Sequence, residues 1–423
     1  MRLSFKYVIK NANDFSLNIL KDIVWHSEKV MNMLMYDINE RKVKLDFNKT
    51  INILSSEIYK EYRKSNWHSK YLHSHTLQEA IISVISAEKS YYMLNNLYEK
   101  DNNSLKGKPN KPRYRSKGKS EVVFTKYAIR IKGRELKLSL SKEMKLKYQV
   151  ESLNFLIPIK LKKLVDFKNI KMIKIKLKED KVEMNMIYEK HEKKLDENSK
   201  NVAAIDLGLS NVVAIVNKEN NETLLASGGP LKSKNRYIMD RISYLQKIQM
   251  LMVKDSKKFK NTKQIKRLYE ERKNYIETYM HKVSKMVIEY CKNNNVGVLV
   301  IGDLKDIKQN MDYNKNFVQI PLQNLVSKIE YKAKLEGIKI EKISEKYTSG
   351  VSAIDGEEII KENYNKKRRI YRGLFITNEG KKINADINGS LNILRKYIKS
   401  IPNQEDLVMD KGREQRPIKK NVA

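Results

Sequence analysis

Residues 201 to 216 read NVAAIDLGLSNVVAIV: two apolar runs separated by one carboxylate and a Gly-Leu-Ser-Asn turn. Val202 to Ile205 suit a strand buried on both faces. Asp206 ends that strand, and Gly208 permits a tight hairpin into Val212 to Val216. A carboxylate at the tip of a central strand is costly to bury unless something positive, such as a metal ion, sits beside it. Asp-x-Gly by itself also describes an ordinary strand end with a turn. The reading therefore depends on whether other carboxylates converge on Asp206.

Downstream, long helices are predicted over about Asn235 to Lys254 and Thr262 to Lys292. In the second, Ile265, Leu268, Ile276, Met280, Val283 and Val287 form an apolar stripe. Val296 to Ile301 (VGVLVI) is another buried strand, ending at Gly302-Asp303-Leu304. A helix over Pro321 to Gly337 and a strand over Ile338 to Ile343 follow, the strand running into Ser344-Glu345. Lys366 to Arg372 is a basic patch. NADINGSLNILRKYI, 384 to 398, reads as a helix starting near Asn384 with Asp386 in its first turn, and the tail from Pro402 reads as disordered. Hairpin, helices, strand, helix, strand, helix is the order of a mixed sheet of the ribonuclease-H type. Groups at the carboxyl ends of neighbouring central strands meet in such sheets. Asp206 and Asp386 are then two of the roughly three carboxylates that two-metal phosphodiester cleavage needs to hold two Mg²⁺. The third must come from strand 296–301 or its neighbour.

Upstream, Leu3, Phe5, Tyr7 and Ile9 alternate as a strand. Asp14 and Ser16 can cap a helix reaching about Lys42, with Leu17, Leu20, Val24, Met31 and Met35 on its apolar face. Further helices are expected over Asn48 to Tyr62 and Ser74 to Lys100, which makes residues 11–101 a helical lobe. Residues 102 to 120, NNSLKGKPNKPRYRSKGKS, hold seven Lys/Arg and no acid. They read as a phosphate-contacting arm in which Tyr114 can stack, or as a solvated linker. Glu121 to Lys132 and Glu135 to Ser141 are joined by a Gly133-Arg134 hairpin signal. Strands near 153–160, 169–177 and 182–188, with a turn at Glu179-Asp180-Lys181, complete a small β-barrel to which residues 1–10 belong. HEKKLDENSK, 191–200, is a linker. The expected fold class is α+β, multidomain.

The formal net charge is +36, which points to a polyanionic partner, with nucleic acid first. No run approaches 18 apolar residues and MRLSFKYVIK carries no signal-peptide apolar region, so no membrane partner and a cytoplasmic, nucleoid-associated location are expected. Cys291 is the single cysteine, which excludes an intramolecular disulfide and a cysteine zinc ribbon. The six histidines offer only His73-x-His75, whose rings diverge on a helix.

Five stretches in order make the reading specific: AIDLGLSNVVAIV, HKVSKMVIEYC, VLVIGDLKDIKQN, EKYTSGVSAIDG and RGLFITNEGKKINADINGSLNIL. They resemble TnpB, the transposon-encoded RNA-guided DNA endonucleases related to type V CRISPR effectors, and the resemblance covers about residues 1 to 400. It implies a helical recognition lobe (11–101), a wedge barrel (1–10 and 102–190), a RuvC-like α/β nuclease domain (201–348 and 381–400) and an insertion at 349–380. It also implies a transposon-derived guide RNA, a duplex DNA target beside a short adjacent motif, Mg²⁺ at the nuclease site, action as a monomer or dimer on RNA, and a role in transposon retention.

The chain departs from the family pattern twice. Gly302 stands where the second strand usually ends in glutamate. Asp303 is adjacent, but one step along a strand faces the other side. Ser352 and Asp355 stand where the first cysteine pair of a zinc ribbon would be, so zinc is not expected, and the module is expected either to be replaced by an apolar miniature fold around Leu374, Phe375 and Ile376 or to be lost. Two readings follow. In one the nuclease is active and Glu345, one strand or about 5 Å away, supplies the third carboxylate beside Asp206 and Asp386; otherwise Glu345 is a surface charge. In the other the protein is a nuclease-dead, RNA-guided DNA-binding repressor.

Ser74, Thr76 and Gln78 open a helix similar to the family's motif-reading helix, and Gln suits bidentate contact with adenine; the alternative is an N-cap at Ser74 with solvent-facing neighbours. Phe124, Thr125 and Lys126 resemble the wedge segment facing the same duplex. Lys108, Lys111, Arg113, Tyr114 and Arg115 are the expected backbone contacts. Arg372 either holds the scissile strand or caps a helix end. Trp25 and Trp67 read as core or interface residues rather than base platforms.

Overall fold

Alternating apolar residues at the N-terminus give strand β1 (Arg2–Ile9). The computed structural model describes residues 1–9, 13–158, 167–178, 181–195, 199, 201–219, 223–252, 260–303, 320–371, 373–400 and 418–420. Glu179 and Asp180 of the expected turn, Leu304, Arg372 and the tail 401–417 lie outside them. The chain divides into two units, Met1–His191 and Glu192–Ala423.

In the first unit, α1 (Asp14–Asn39) is capped by Asn13, whose side chain accepts from the Ser16 amide at 2.8 Å. The cap is therefore neither Asp14 nor Ser16, because a cap must precede the first helical residue. Helix α2 (Ile51–Ser65) starts after its cap Thr50, and α3 spans Ser74–Lys100. Leu20, Val24, Leu34, Ile58, Leu77, Ile81 and Ile85 pack into one buried core. The expected strand 121–132 is broken by a single 3₁₀ turn at Lys126–Ala128 into β2 (Glu121–Thr125) and β3 (Ile129–Lys132). Strand β3 forms a hairpin with β4 (Glu135–Ser139) across Gly133, whose φ of +61° suits glycine. Helix α4 (Lys142–Tyr148), β5 (Ser152–Leu156), β6 (Ile170–Lys178) and β7 (Lys181–Glu189) follow. The strands make two sheets, β1-β7-β6-β2 and β3-β4-β5. The expected closed barrel is corrected here: the 126–128 turn sends its two halves into different sheets, and among the described residues neither sheet closes on itself.

The second unit is built on β8 (Asn201–Asp206), β9 (Asn211–Asn217), β10 (Thr223–Ser227), β11 (Val296–Asp303) and β12 (Lys339–Ser344). With β15 (Ile418–Lys420), they form one sheet ordered β12-β11-β8-β9-β10-β15. Strands β8, β11 and β12 are parallel neighbours, while β8–β9 and β9–β10 are antiparallel. Helices α5 (Gly229–Met252), α6 (Lys263–Asn293), α7 (Leu322–Glu336) and α8 (Ala385–Lys399) surround it, and β13 (Leu374–Ile376) pairs with β14 (Lys382–Asn384) ahead of α8. Strand alternation sorts the core into two layers. Ala203, Ile205, Leu299 and Ile301 pack against α6 and α7. Val202, Ala204 and Val300 pack against α8 on the other face. No helix among the described residues is long and apolar enough to cross a membrane.

Candidate functional site

Asp206 is the last residue of β8, on the face that α8 covers. A Cβ built on Gly389 of α8 falls 2.6 Å from Asp206 Oδ2, so the carboxylate rests on bare helix backbone. Asp386 lies three residues earlier on the same helical face and is 8% exposed. It is held from two sides: Asn211 Nδ2 donates to Oδ2 at 2.8 Å and Arg369 Nη2 to Oδ1 at 3.0 Å. The Asn384 side chain caps α8 by accepting from the Asp386 and Ile387 amides. Burial and then the Asp386 charge push the Asp206 carboxyl up to about 7, opposed by Arg369 and by the Leu207 amide. Asp206 and Asp386 are therefore brought together at a helix N-terminus, as the sequence analysis expected.

The third position is decided by register. Ile205 pairs with Ile301, so Asp206 stands level with Gly302, and Gly302 pairs with Ile343 of β12. Gly302 follows the alternation of Val300 onto the α8 face, so Asp303 points toward the α6–α7 layer. The space a side chain at Gly302 would take is filled by Glu345: a built Cβ falls 2.5 Å from both its Cγ and its Cδ. Glu345 thus lies, half-buried, on the face and at the level that the missing glutamate would occupy. Among the described residues, no three His, Cys, Asp or Glu side chains converge closely enough to hold an ion as they stand. Two of the expected ligands are assembled, and the third reaches only the Gly302 space. Carboxylate oxygens are the donor type a hard divalent cation prefers, and here Arg369 occupies Asp386 Oδ1.

The 349–380 insertion differs from expectation. Phe375 is fully buried with Val300 and Ile387, but Leu374 and Ile376 are only partly so. The zinc-ribbon positions are tied by polar groups instead. The Ser352 amide donates to Glu357 and the Asn378 amide to Asp355, each at 2.8 Å. Arg368 donates to both Glu357 oxygens at 2.8 and 2.7 Å. Burial would raise the Glu357 pKa, yet the Arg368 and Ser352 hydrogen bonds lower it. From α8, Asn388 and Asn392 both donate to the Val351 carbonyl at 2.8 Å.

The first unit both supports and corrects the nucleic-acid residues. Thr76 is 2% and Phe124 1% exposed, so neither can reach a duplex; Thr76 turns into the lobe core and Phe124 alternates inward beside Val122. Ser74 is not an N-cap, since His73 holds that position without a side-chain cap bond. Gln78 and Thr125 are half-buried and Lys126 is exposed. His75, which the sequence analysis weighed only as a metal ligand, stacks on Tyr127 with centroids 4.8 Å apart and planes 17° apart, joining the start of α3 to the 3₁₀ turn that follows β2. Lys126 Nζ covers the same tyrosine ring.

The basic arm lies along α1. Lys108, Lys111, Arg113 and Tyr114 are exposed. Glu28, 4% exposed, accepts from the Gly118, Lys119 and Ser120 amides at 2.8, 3.0 and 3.0 Å. One turn on, Asn32 accepts from the Arg115 amide at 2.6 Å and donates to its carbonyl at 3.0 Å. Arg115 itself is half-buried and reaches Ser83. Charge-assisted bonds of this kind are worth roughly 1.5–3 kcal/mol. Glu28→Ala is therefore expected to cost about 2 kcal/mol and to speed tryptic cutting between Lys106 and Lys119. An unchanged digestion rate, read by mass spectrometry, would contradict the anchoring.

Residues 185–308 match the family OrfB_IS605, described as a probable transposase. Residues 323–393 match the Cas12f1-like TNB domain. The TnpB-like protein ORF457 of Acidianus two-tailed virus is 26% identical over 206 residues, 48% of this chain and 43% of that protein. The CRISPR-associated endodeoxyribonuclease Cas12f1 of Sulfoacidibacillus thermotolerans is 25% identical over 221 residues, 49% of this chain and 47% of that protein. The matches thus span just under half the length of these relatives. In a solved Cas12f1–sgRNA–target DNA complex, the protein has the same fold, with a TM-score of 0.60 at 16% identity over 89% of this chain and 82% of that one. Ordered motifs, two family matches over parts of the chain and the shared fold agree: the chain is similar to TnpB-like and Cas12f1-like proteins.

Proposed function

We propose that this protein is an RNA-guided DNA endonuclease of an insertion sequence, cutting duplex DNA beside a short target-adjacent motif and so favouring retention of the element. The observation that carries the reading is the site itself. Asp206 and Asp386 are packed together at the N-terminus of α8, and Glu345 fills the side-chain space of Gly302 on the same face. The +36 charge and the anchored basic arm suit two nucleic-acid partners, a guide RNA and its DNA target, as in the Cas12f1 complex whose fold the chain shares. The cytoplasm, beside the nucleoid, is where those partners would be met.

Asp206, Asp386 and Glu345 are the residues that would hold two Mg²⁺, with no zinc elsewhere. Mg²⁺ bound there would supply Lewis acidity toward the scissile phosphate and a more acidic water. The chain's own contribution is positional. Asn211 fixes one oxygen of Asp386, the absent side chain of Gly389 makes room for Asp206, and Arg369 balances the charge of the carboxylate pair in the metal-free protein.

A pH dependence follows. Asp206 titrates near pH 7 when folded, against an ordinary value of 3.8. Between those values the folded state binds more protons, so rising pH removes stability in metal-free protein. Cation binding must displace that proton. The apparent Mg²⁺ affinity, read from thermal stabilisation, is expected to fall roughly tenfold per pH unit below about 7. A flat profile from pH 8 to pH 5.5 would contradict this, and Asp206→Asn should remove the dependence.

The function itself is tested by purifying the chain with co-expressed RNA from the element's flank and adding Mg²⁺ and matched duplex DNA. Guided cutting is the expected result. Guide-dependent DNA binding without cutting would instead favour a nuclease-dead repressor, the reading to which the glycine at 302 lends itself.

A further inference from the structure

The only two tryptophans in the chain, Trp25 and Trp67, belong to one aromatic cluster in the first unit. His68 lies between them, its ring 5.0 Å from that of Trp25 and 4.9 Å from that of Trp67. Tyr71 sits 4.8 Å from Trp67 and stacks on the buried His26 at 4.2 Å. The base of the cluster is rigid. Trp67 to Tyr71 form one 3₁₀ turn whose Asn66 cap accepts from the Ser69 amide, and Arg63 ties that turn down through the Ser69 and Leu72 carbonyls. Yet Trp67 at the top is 55% exposed. A large ring held more than half exposed against other rings is not what a core residue does.

The surroundings are cationic. Lys29 Nζ stands 5.8 Å from the Trp25 ring, and Lys64 and Lys70, three residues either side of Trp67, are exposed. A neighbouring acid, Asp22, is paired with Lys147 at 2.6 Å and also accepts from the Tyr148 hydroxyl. Burial holds both imidazoles below their usual pKa, so the rings stay neutral and the charge comes from the lysines.

We propose that Trp67, braced by His68 and Tyr71, with Lys29 on the Trp25 side of the cluster, is a stacking platform for an unpaired base of single-stranded RNA. Nucleobases stack on exposed aromatic rings whatever their identity, and nearby cations take the adjoining phosphates. A second copy of this chain is a poorer occupant: a single indole offers far less than the area a stable interface buries, and it is ringed by like charge. The inference rests on the RNA-binding reading above and adds a contact that reading does not require.

With only two tryptophans, intrinsic fluorescence reports on this patch without a label. The full chain is titrated with a twelve-nucleotide adenylate RNA, with tryptophan emission and the anisotropy of a 5′-labelled copy read in parallel. Stacking should quench the emission on saturation. Trp67→Ala should weaken binding by about five- to a hundredfold with the slope of log affinity against log salt unchanged, while Trp67→Phe restores most of it. Lys29→Ala should instead flatten that slope. RNA binding by anisotropy with no quenching, and wild-type affinity in Trp67→Ala, would overturn the platform while leaving RNA binding intact. A wild-type dimer that Trp67→Ala converts to monomer without RNA would overturn it in favour of a second copy. No binding of the RNA at all would overturn both the platform and the RNA-guided reading.

Discussion

Glu345→Ala should lower the rate of guided DNA cleavage by on the order of a hundredfold while leaving the fold and guide-RNA binding unchanged. The magnitude follows from metal sites generally, where losing even an outer-shell partner costs roughly 10–100-fold. The residue follows from register. Gly302 pairs with Ile343, two residues before Glu345, and the Glu345 side chain turns back into the volume that a side chain at 302 would fill. Asp303→Ala is the matched control. It removes the nearer carboxylate in sequence, but strand alternation points that carboxylate toward the α6–α7 layer, so cleavage should stay close to wild type. If the two variants behaved in the opposite way, with Asp303→Ala dead and Glu345→Ala active, the assignment of the third ligand would be wrong.

Gly389→Ala is expected to remove activity and also to destabilise the protein by about 1–3 kcal/mol, the usual cost of overfilling a packed site. The sign is what makes this informative. In a helix interior, replacing glycine with alanine ordinarily gains roughly 1 kcal/mol. Here the new methyl carbon would lie 2.6 Å from Asp206 Oδ2, so either the carboxylate or the helix must move. Thermal unfolding and cleavage should fall together. A variant that melted higher than wild type and cut DNA at full rate would mean that Asp206 does not rest on α8 in the working enzyme.

What was legible in the sequence was whatever local periodicity encodes. Buried runs in β8, β9 and β11 announce central strands, and Asn384 followed by ADINGS announces a capped helix with an acid in its first turn. Asp206 and Asp386 could therefore be paired before any coordinates. The short strand β10 was missed because TLLAS has no alternation and no turn residue of its own to mark it. Phe124 was misassigned although the signal was present: Val122 and Phe124 are two apart, so they share one buried face. The barrel failed because no pattern in 121–132 marks the 3₁₀ turn that divides it. The other participants were out of reach of local reading. Asn211 meets Asp386 across 175 residues. Arg369 lay within a basic patch from which the sequence reading had singled out Arg372 instead. The polar knot of Glu357, Arg368 and Asn378 could not be read, because its members meet only through the folding of the 349–380 segment.

The most direct measurement of the relocated carboxylate is a transplant. Gly302→Glu alone should impair the enzyme, because a Cβ there falls 2.5 Å from Glu345 Cδ. Combined with Glu345→Ala, the new glutamate grows from a vacated space on the face that carries Asp206. Cleavage rates of the single and double variants are compared under one set of guide, target and Mg²⁺ conditions. The account predicts that the double variant cuts at least about tenfold faster than Glu345→Ala alone, the lower bound expected when a metal-site partner is returned. A double variant that folds and binds RNA like wild type yet cuts no faster than Glu345→Ala would contradict it.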